Sequence, residues 1–183
     1  MNHWHINQAV KTINTGGVIA YPTESVYGLG CCPEDFKSVI KILNLKNRSL
    51  EKGLILVAAS IEQLEDYIFF PTAEVKDRVL ATWPGPVTWL MPARPTTPLW
   101  ITGCHSTVAV RISAHPVVHR LCEAVGALVS TSANPGGYPP AKSAFKVLNY
   151  FGDTLDYILH GEVEKCGRPT IIKDAQTGKV IRN

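Results

Sequence analysis

Short apolar runs alternate along this chain with segments of helical spacing, and this alternation constrains the fold more than any other feature. Residues 18–21, 54–58, 87–91, 107–112 and 128–131 are apolar runs of strand length. Segments with helical periodicity lie between most of them. This order favours an α/β or α+β domain in which helices pack on a mixed sheet.

The predicted helices have recognisable beginnings and ends. The first stops at Gly16 and Gly17, where glycine adopts a left-handed cap readily, and the last begins with Pro116, which suits a first helical turn. Residues 60–63 match a capping box, so a further helix is expected to start there. The segments with helical periodicity are residues 6–13, 34–45, 72–82 and 116–125.

The segments outside these elements also carry predictions. The segment containing Gly28 and Gly30 is predicted to be a loop, while residues 170–173 and 179–182 flank a glycine turn and predict a hairpin that closes the sheet. No linker or repeat divides the chain. We therefore expect one domain spanning residues 1–183.

Composition narrows the class of protein. The 183 residues are 45% hydrophobic, enough for a substantial core, and the net charge of +3 does not by itself demand a nucleic-acid partner. Five cysteines, an odd number that includes the neighbours Cys31 and Cys32, fit a reducing compartment. The amino terminus does not resemble a signal peptide, and no apolar run is long enough for a bilayer. We expect a cytoplasmic protein without a membrane partner.

Common nucleotide-binding motifs are missing from the sequence, but a basic cluster follows the second predicted helix. Lys46, Arg48 and Lys52 lie within seven residues of each other. Such a cluster can clamp a triphosphate. The alternative is a solvated helix end whose cations interact with the helix dipole.

Further polar residues accompany the predicted strands. Arg111 lies in an apolar strand, where it either binds a carboxylate or points outward. The segment 130–134 (STSAN) offers hydroxyls and an amide that suit phosphate or ribose oxygens, although an ordinary polar turn has the same composition. His115 and His119 are four residues apart without a third ligand, so we expect no metal held by protein ligands.

Five segments follow one another along nearly the whole chain: YPTESVYGLG at 21–30, KNR at 46–48, WPGPVT at 83–88, VAVR at 108–111 and STSAN at 130–134. Together they resemble the YrdC-like threonylcarbamoyl-AMP synthase family, and the length resembles its single-domain bacterial members. The resemblance implies a twisted α/β sheet with a large positive cavity.

The resemblance also implies a role for individual residues. It places the threonine carboxylate on Arg111 and gives Lys46 and Arg48 the catalytic positions along the ATP phosphates. The implied threonine-binding residues are Thr23, Arg111, Ser130 and Thr170. The implied ATP-binding residues are Lys46, Arg48, Lys52, Thr107, Ser132, Asn134 and Arg182.

The implied reaction joins threonine to bicarbonate or CO2 as a carbamate, which attacks the α-phosphate of ATP and expels pyrophosphate. Mg2+ is expected to arrive with ATP. Separate tRNA-modifying proteins are expected to use the adenylate to make threonylcarbamoyladenosine in tRNA. The alternative is an RNA-binding protein of the same fold, whose positive concavity binds RNA directly.

Overall fold

A computed structural model describes residues 3–163 and 170–182, which form one sheet flanked by helices. The strands are β1 (Ile19–Pro22), β2 (Tyr27–Cys31), β3 (Ile55–Ala58), β4 (Val87–Pro92), β5 (Thr107–Ile112), β6 (Leu128–Ser132), β7 (Tyr157–Ile158), β8 (Ile171–Asp174) and β9 (Val180–Arg182). The helices are α1 (His3–Asn14), α2 (Phe36–Lys46), α3 (Ala73–Leu80), α4 (Leu99–Thr102), α5 (Pro116–Val125) and α6 (Ala144–Phe151).

The sheet is mixed, as the sequence predicts, and twisted, as the resemblance implies; it is also open. Within the described residues its nine strands follow the order β7-β1-β2-β6-β3-β5-β4-β8-β9. The pairs β1/β7, β3/β5 and β4/β8 are parallel, and the other neighbours are antiparallel. The register pairs Val57 with Arg111 and Ile55 with Ser130, so two candidate site residues lie on strands flanking β3.

The two faces of the sheet are covered differently. Leu56 and Val110 belong to the larger core on one face, while Val57 and Leu128 belong to a smaller core with α1 and α5 on the other. Alternation along a strand explains this division, because successive side chains point to opposite faces. Arg111 is paired with Val57 and therefore shares its face.

Local capping fixes the helix boundaries near the predicted positions. The Asp35 side chain accepts a hydrogen bond from the Lys37 amide at the start of α2, and Asn47 ends that helix with a left-handed φ of 47°. Pro116 begins α5. The turn at Asn47 sends the chain away from the helix axis just before Arg48.

Two local predictions were wrong. Residues 27–31 form β2 rather than a loop, since Gly30 leaves room for Tyr21: a Cβ there would lie 2.7 Å from the Tyr21 ring. The predicted helix near residue 60 is a three-residue 3-10 turn without a side-chain cap. The Gln63 side chain instead accepts a bond from the Ala59 amide and donates to the Cys122 carbonyl.

Other elements complete the comparison with the sequence. The predicted hairpin is confirmed as β8 and β9, which pair antiparallel. The short helix α4 and the helix α6, which is capped by Ser143, had no predicted counterpart. None of the helices in the described residues combines the length and apolar character needed to cross a bilayer.

Candidate functional site

A cavity of about 770 Å³ opens on the sheet face that also carries α1 and α5. Strands β2, β3, β5 and β6 contribute to its floor, and the segments that follow β1, α2 and β6 contribute to its walls. The cavity brings together these predicted site residues: Thr23, Lys46, Arg48, Lys52, Arg111, Ser130, Ser132, Asn134, Thr170 and Arg182.

The charge of the lining is strongly asymmetric. Glu24 is the only acidic residue among the described residues that line the cavity. The basic residues of the lining are Lys46, Arg48, Lys52, Arg111, Lys142 and Arg182. A concave surface with this balance attracts anions, because its cations act together on the enclosed space.

Lys46 connects the end of α2 to the loop after β6. Its Nζ donates to the carbonyl oxygens of Ser132 at 2.5 Å and Asn134 at 2.9 Å, and the residue is only 6% exposed. Burial, and to a lesser degree the neighbouring Arg48, lowers the pKa of Lys46 to about 8. The ammonium group therefore titrates close to physiological pH.

Arg48 shapes the basic turn that follows α2. Its Nη2 donates to the Gly53 carbonyl at 3.0 Å and the Lys52 carbonyl at 3.4 Å. Its Nε is buried without a hydrogen-bond partner among the described residues. Burial and the nearby Arg182 lower the pKa of Arg48. Arg48 thus anchors the turn at the edge of the cavity and has one buried donor without a partner.

Arg111 points into the protein and does not face solvent. Its Nη2 lies 3.3 Å from Oε2 of Glu24, and the two side chains are only 7% and 11% exposed. The Ser113 hydroxyl donates to Oε1 of Glu24 at 2.6 Å. Nε and Nη1 of Arg111 have no hydrogen-bond partner in the described structure, so the guanidinium retains donors for a ligand.

Hydroxyl groups near Arg111 are oriented by the protein. Tyr21 donates to Oγ of Ser130 at 2.8 Å, and burial raises the pKa of Tyr21. Oγ1 of Thr23 donates to the Val26 carbonyl at 2.7 Å. These bonds leave the acceptor lone pairs of Thr23 and the hydroxyl proton of Ser130 for other partners.

The loop after β6 is held in one shape by its own side chains. The Ser132 hydroxyl donates to Oδ1 of Asn134 at 2.6 Å, and Nδ2 of Asn134 donates to the Tyr138 carbonyl at 2.8 Å. The Gly136 amide donates to the Lys46 carbonyl at 2.8 Å. A Cβ at Gly136 would approach that same carbonyl within 2.8 Å, so the close packing of this loop on α2 requires glycine.

The remaining predicted residues occupy the rim or lie outside. Oγ1 of Thr170 lies 3.5 Å from Oγ1 of Thr88, and Arg182 is exposed on β9. Thr107 is absent from the described cavity lining. It begins β5 opposite Pro92, four residues before Arg111, which is roughly 13 Å along an extended strand. The predicted contact between Thr107 and a nucleotide stays a prediction.

Some lining residues escaped the sequence analysis. Glu24 is the neighbour of Thr23 in the quoted segment and lines the cavity. Attention to acidic residues adjacent to the candidate residues would have found it. Lys142 lies two residues after Pro140 in a loop and carries no periodic or spacing signal. Thr88 ends the quoted segment WPGPVT, but no role was predicted for it because a lone strand threonine has no diagnostic pattern.

The histidine pair forms no metal site with other described residues. His119 Nδ1 instead lies 3.3 Å from a carboxylate oxygen of Glu123, one helical turn away. No group of three or more His, Cys, Asp or Glu side chains in the described chain is arranged to hold a metal ion.

Comparison with known sequences gives consistent relatives. The Sua5/YciO/YrdC family, described as telomere recombination, has a sequence model that matches residues 11–183. A threonylcarbamoyl-AMP synthase of Nitrosococcus oceani is 49% identical over 181 residues, covering 98% of each chain. One from Pseudomonas fluorescens is 47% identical over 184 residues, covering 100% of this chain and 98% of its own.

Solved structures share the fold. Sua5 of P. abyssi in complex with L-threonine has a TM-score of 0.90 and 33% identity, and the match covers 98% of this chain but 53% of that protein. E. coli YciO has a TM-score of 0.85 and 26% identity, covering 100% of this chain and 90% of that one. The chain thus spans about half of the Sua5 structure and nearly all of the curated relatives. By sequence and by fold, the chain belongs to the Sua5/YciO/YrdC family.

Proposed function

We propose that this chain is a threonylcarbamoyl-AMP synthase, which forms threonylcarbamoyl-adenylate from L-threonine, bicarbonate or CO2, and ATP. The observation that carries the proposal is one cavity lined by both a basic turn and a buried arginine with unused donors. The full-length similarity to curated enzymes of that name supports it. The reaction class is nucleotidyl transfer.

The basic turn is the proposed site for the ATP phosphates. Lys46, Arg48 and Lys52 place positive charge on one wall of the cavity. They offset the repulsion between a triphosphate and an anionic nucleophile, and they stabilise the charge that develops on the departing pyrophosphate. Ser132, Asn134 and Arg182 extend this polar surface toward the rim.

Threonine is proposed to bind near the centre of the sheet. Arg111 receives its carboxylate through the unpartnered guanidinium donors. Thr23, Ser130 and Thr170 surround this position with hydroxyl groups. A carbamate formed on the amino nitrogen then lies between Arg111 and the basic turn, where its oxygen can attack the α-phosphorus.

No protein nucleophile is needed in this reaction, because the carbamate oxygen forms the new bond to phosphorus and pyrophosphate leaves. Mg2+ is proposed to arrive with the ATP phosphates and to keep much of its water. The only acid in the described lining, Glu24, is already placed against Arg111 and Ser113. This chain's residues therefore position and neutralise the substrates.

The product is proposed to pass to separate proteins that complete threonylcarbamoyladenosine in tRNA, with all of these steps in the cytoplasm. Reconstitution with this chain, its small substrates and unmodified tRNA should yield the adenylate and pyrophosphate but no modified nucleoside. Appearance of the modified nucleoside without another protein would overturn this division of labour.

The direct test is to incubate purified protein with ATP, bicarbonate and each amino acid in turn, followed by assay of pyrophosphate and identification of the adenylate. Threonine should drive release in the absence of RNA, and omission of bicarbonate should suppress it. Equal release with serine and threonine would remove the claimed specificity. Release independent of any amino acid would reject the function.

RNA binding remains the second candidate, supported by exposed cations around the cavity. Lys52, Lys142 and Arg182 are all exposed and line its opening. If RNA is the main ligand, its affinity should fall steeply with salt and no pyrophosphate should form. Filter binding of tRNA across a salt series, run beside the pyrophosphate assay, separates the two candidates.

A further inference from the structure

Glu24 is a buried carboxylate that faces the proposed substrate cavity, although the function proposed above gives it no role. Its side chain is 11% exposed. Oε1 accepts a hydrogen bond from Ser113 at 2.6 Å, while Oε2 lies 3.3 Å from Nη2 of Arg111. In the described structure Oε2 accepts no hydrogen bond. One oxygen of Glu24 is thus fixed by the protein and the other is incompletely satisfied.

Arg111, which faces Glu24, also has polar atoms without hydrogen-bond partners. Nε and Nη1 of Arg111 are buried and have no hydrogen-bond partner among the described residues. Buried polar atoms in folded proteins nearly always have partners, and a buried ion pair is stable only when its remaining donors and acceptors are filled. The pair of Glu24 and Arg111 therefore has an unpartnered acceptor and unpartnered donors on two side chains that line the cavity.

The open positions match one kind of ligand. A free α-amino acid carries a carboxylate and an ammonium group on the same carbon atom. Arg111 offers unpartnered donors to the carboxylate, and Glu24 offers an unpartnered acceptor to the ammonium, with their charged atoms 3.3 Å apart. A carboxylic acid without an amino group would leave Glu24 unpaired and would face its negative charge.

We propose that Glu24 is a specificity-determining residue, whose Oε2 accepts a hydrogen bond from the amino group of the substrate while Arg111 binds the carboxylate. This inference rests on the proposed function and assigns a binding residue to the amino group of the same substrate. Ser113 is a positioning residue, since its hydroxyl holds the other oxygen of Glu24 and does not need to touch the ligand.

A purely structural role for Glu24 makes a different prediction. If the carboxylate only orients Arg111, its loss disturbs every ligand that has a carboxylate to the same degree. If it binds the amino group, its loss weakens only ligands that have one. The informative pair of ligands is L-threonine and (R)-3-hydroxybutanoate, which lacks the amino group but keeps the hydroxyl and carboxylate.

The experiment is calorimetric titration of both ligands into wild type, Glu24→Gln and the control Glu123→Gln. Glu123 pairs with His119 on the exposed face of α5, so its substitution changes charge without touching the cavity. We expect Glu24→Gln to weaken threonine by about tenfold or more, with 3-hydroxybutanoate unchanged or tighter. The control should match wild type for both ligands.

Equal weakening of both ligands, or unchanged threonine affinity, would overturn the assignment. If Glu24→Gln does not fold, as judged by thermal unfolding, Ser113→Ala takes its place because it keeps the carboxylate and removes one anchor. Ser113→Ala should then weaken threonine by a smaller factor and leave 3-hydroxybutanoate unchanged. The same weakening of both ligands in this variant would again count against the proposal.

The experiments distinguish failure of the role proposed for Glu24 from failure of the proposed function. Absence of threonine-dependent pyrophosphate release by wild type would reject the synthase activity. Threonine-dependent release combined with an unaltered preference for threonine over 3-hydroxybutanoate in Glu24→Gln would reject only the role of Glu24.

Discussion

On the role proposed for Lys46 at the ATP phosphates, its lowered pKa should make ATP binding weaken as the pH rises. Burial and Arg48 lower this pKa to about 8 from an ordinary value of 10.5. The ammonium is then about nine-tenths protonated at pH 7 and about one-tenth protonated at pH 9. A polyanion binds the protonated form, so ATP affinity should fall by about tenfold between these pH values.

The effect on the free protein has the opposite sign. Because the folded pKa lies below the unfolded value, the unfolded chain binds more protons between pH 8 and pH 10.5. The contribution of Lys46 to the free energy of unfolding therefore increases as pH rises through this window. Weaker ATP binding at pH 9 would thus not be explained by a destabilising contribution from this lysine.

Calorimetric titration of ATP at pH 7, 8 and 9 tests the prediction, with Lys46→Arg as the matched control. Arginine stays protonated throughout, so the variant should lose little affinity over this range, and it corrects for titration of ATP itself. Titrations at pH 8 in two buffers of different ionisation enthalpy should show proton uptake by wild type and none by the variant. Equal weakening in both proteins would refute the reasoning.

Three further substitutions test the site and the sheet. Arg48→Ala should reduce ATP use by about tenfold or more, because a charged hydrogen bond contributes about 1.5 to 3 kcal/mol; unchanged pyrophosphate release at limiting ATP by a folded variant would contradict this. Arg111→Lys should lose more affinity for threonine than for ATP in calorimetry, because lysine lacks the planar fork; equal losses with a lower melting temperature would indicate a structural ion pair instead. Gly30→Ala should lower the free energy of unfolding by about 1 to 3 kcal/mol in urea denaturation, since its Cβ would lie 2.9 Å from the Val129 carbonyl on the paired strand; wild-type stability would show that the sheet relaxes there.

The basic cluster and the arginine in strand β5 show which candidate site residues can be identified from a single sequence. Lys46 and Arg48 were noted as a basic cluster after a helix and Arg111 as an arginine in an apolar strand, and the family resemblance gave them roles. The structure places all three on one cavity. The sequence pattern did not indicate which groups these three side chains contact. Lys46 already donates to two backbone carbonyls, and Arg111 already faces Glu24, because partners distant in sequence are brought close by strand pairing.

The errors have a common physical cause. Gly28 and Gly30 weaken a local strand signal, yet pairing with β1 and β6 makes the segment a central strand. The capping-box residues near Ser60 lose their local role because Gln63 binds the chain at Ala59 and Cys122. In both places contacts between distant segments outweighed local preference.

By itself, the sequence determined the alternating elements, the mixed sheet, the basic turn and the terminal hairpin, since periodicity and turn residues act over a few positions. Only the tertiary structure decided which face of the sheet holds the cavity, that Glu24 and Lys142 line it, and that Thr107 does not. Such facts depend on strand order and register. A shift of one residue in pairing would move each side chain of the shifted strand to the opposite face of the sheet, and no short-range sequence pattern specifies that choice.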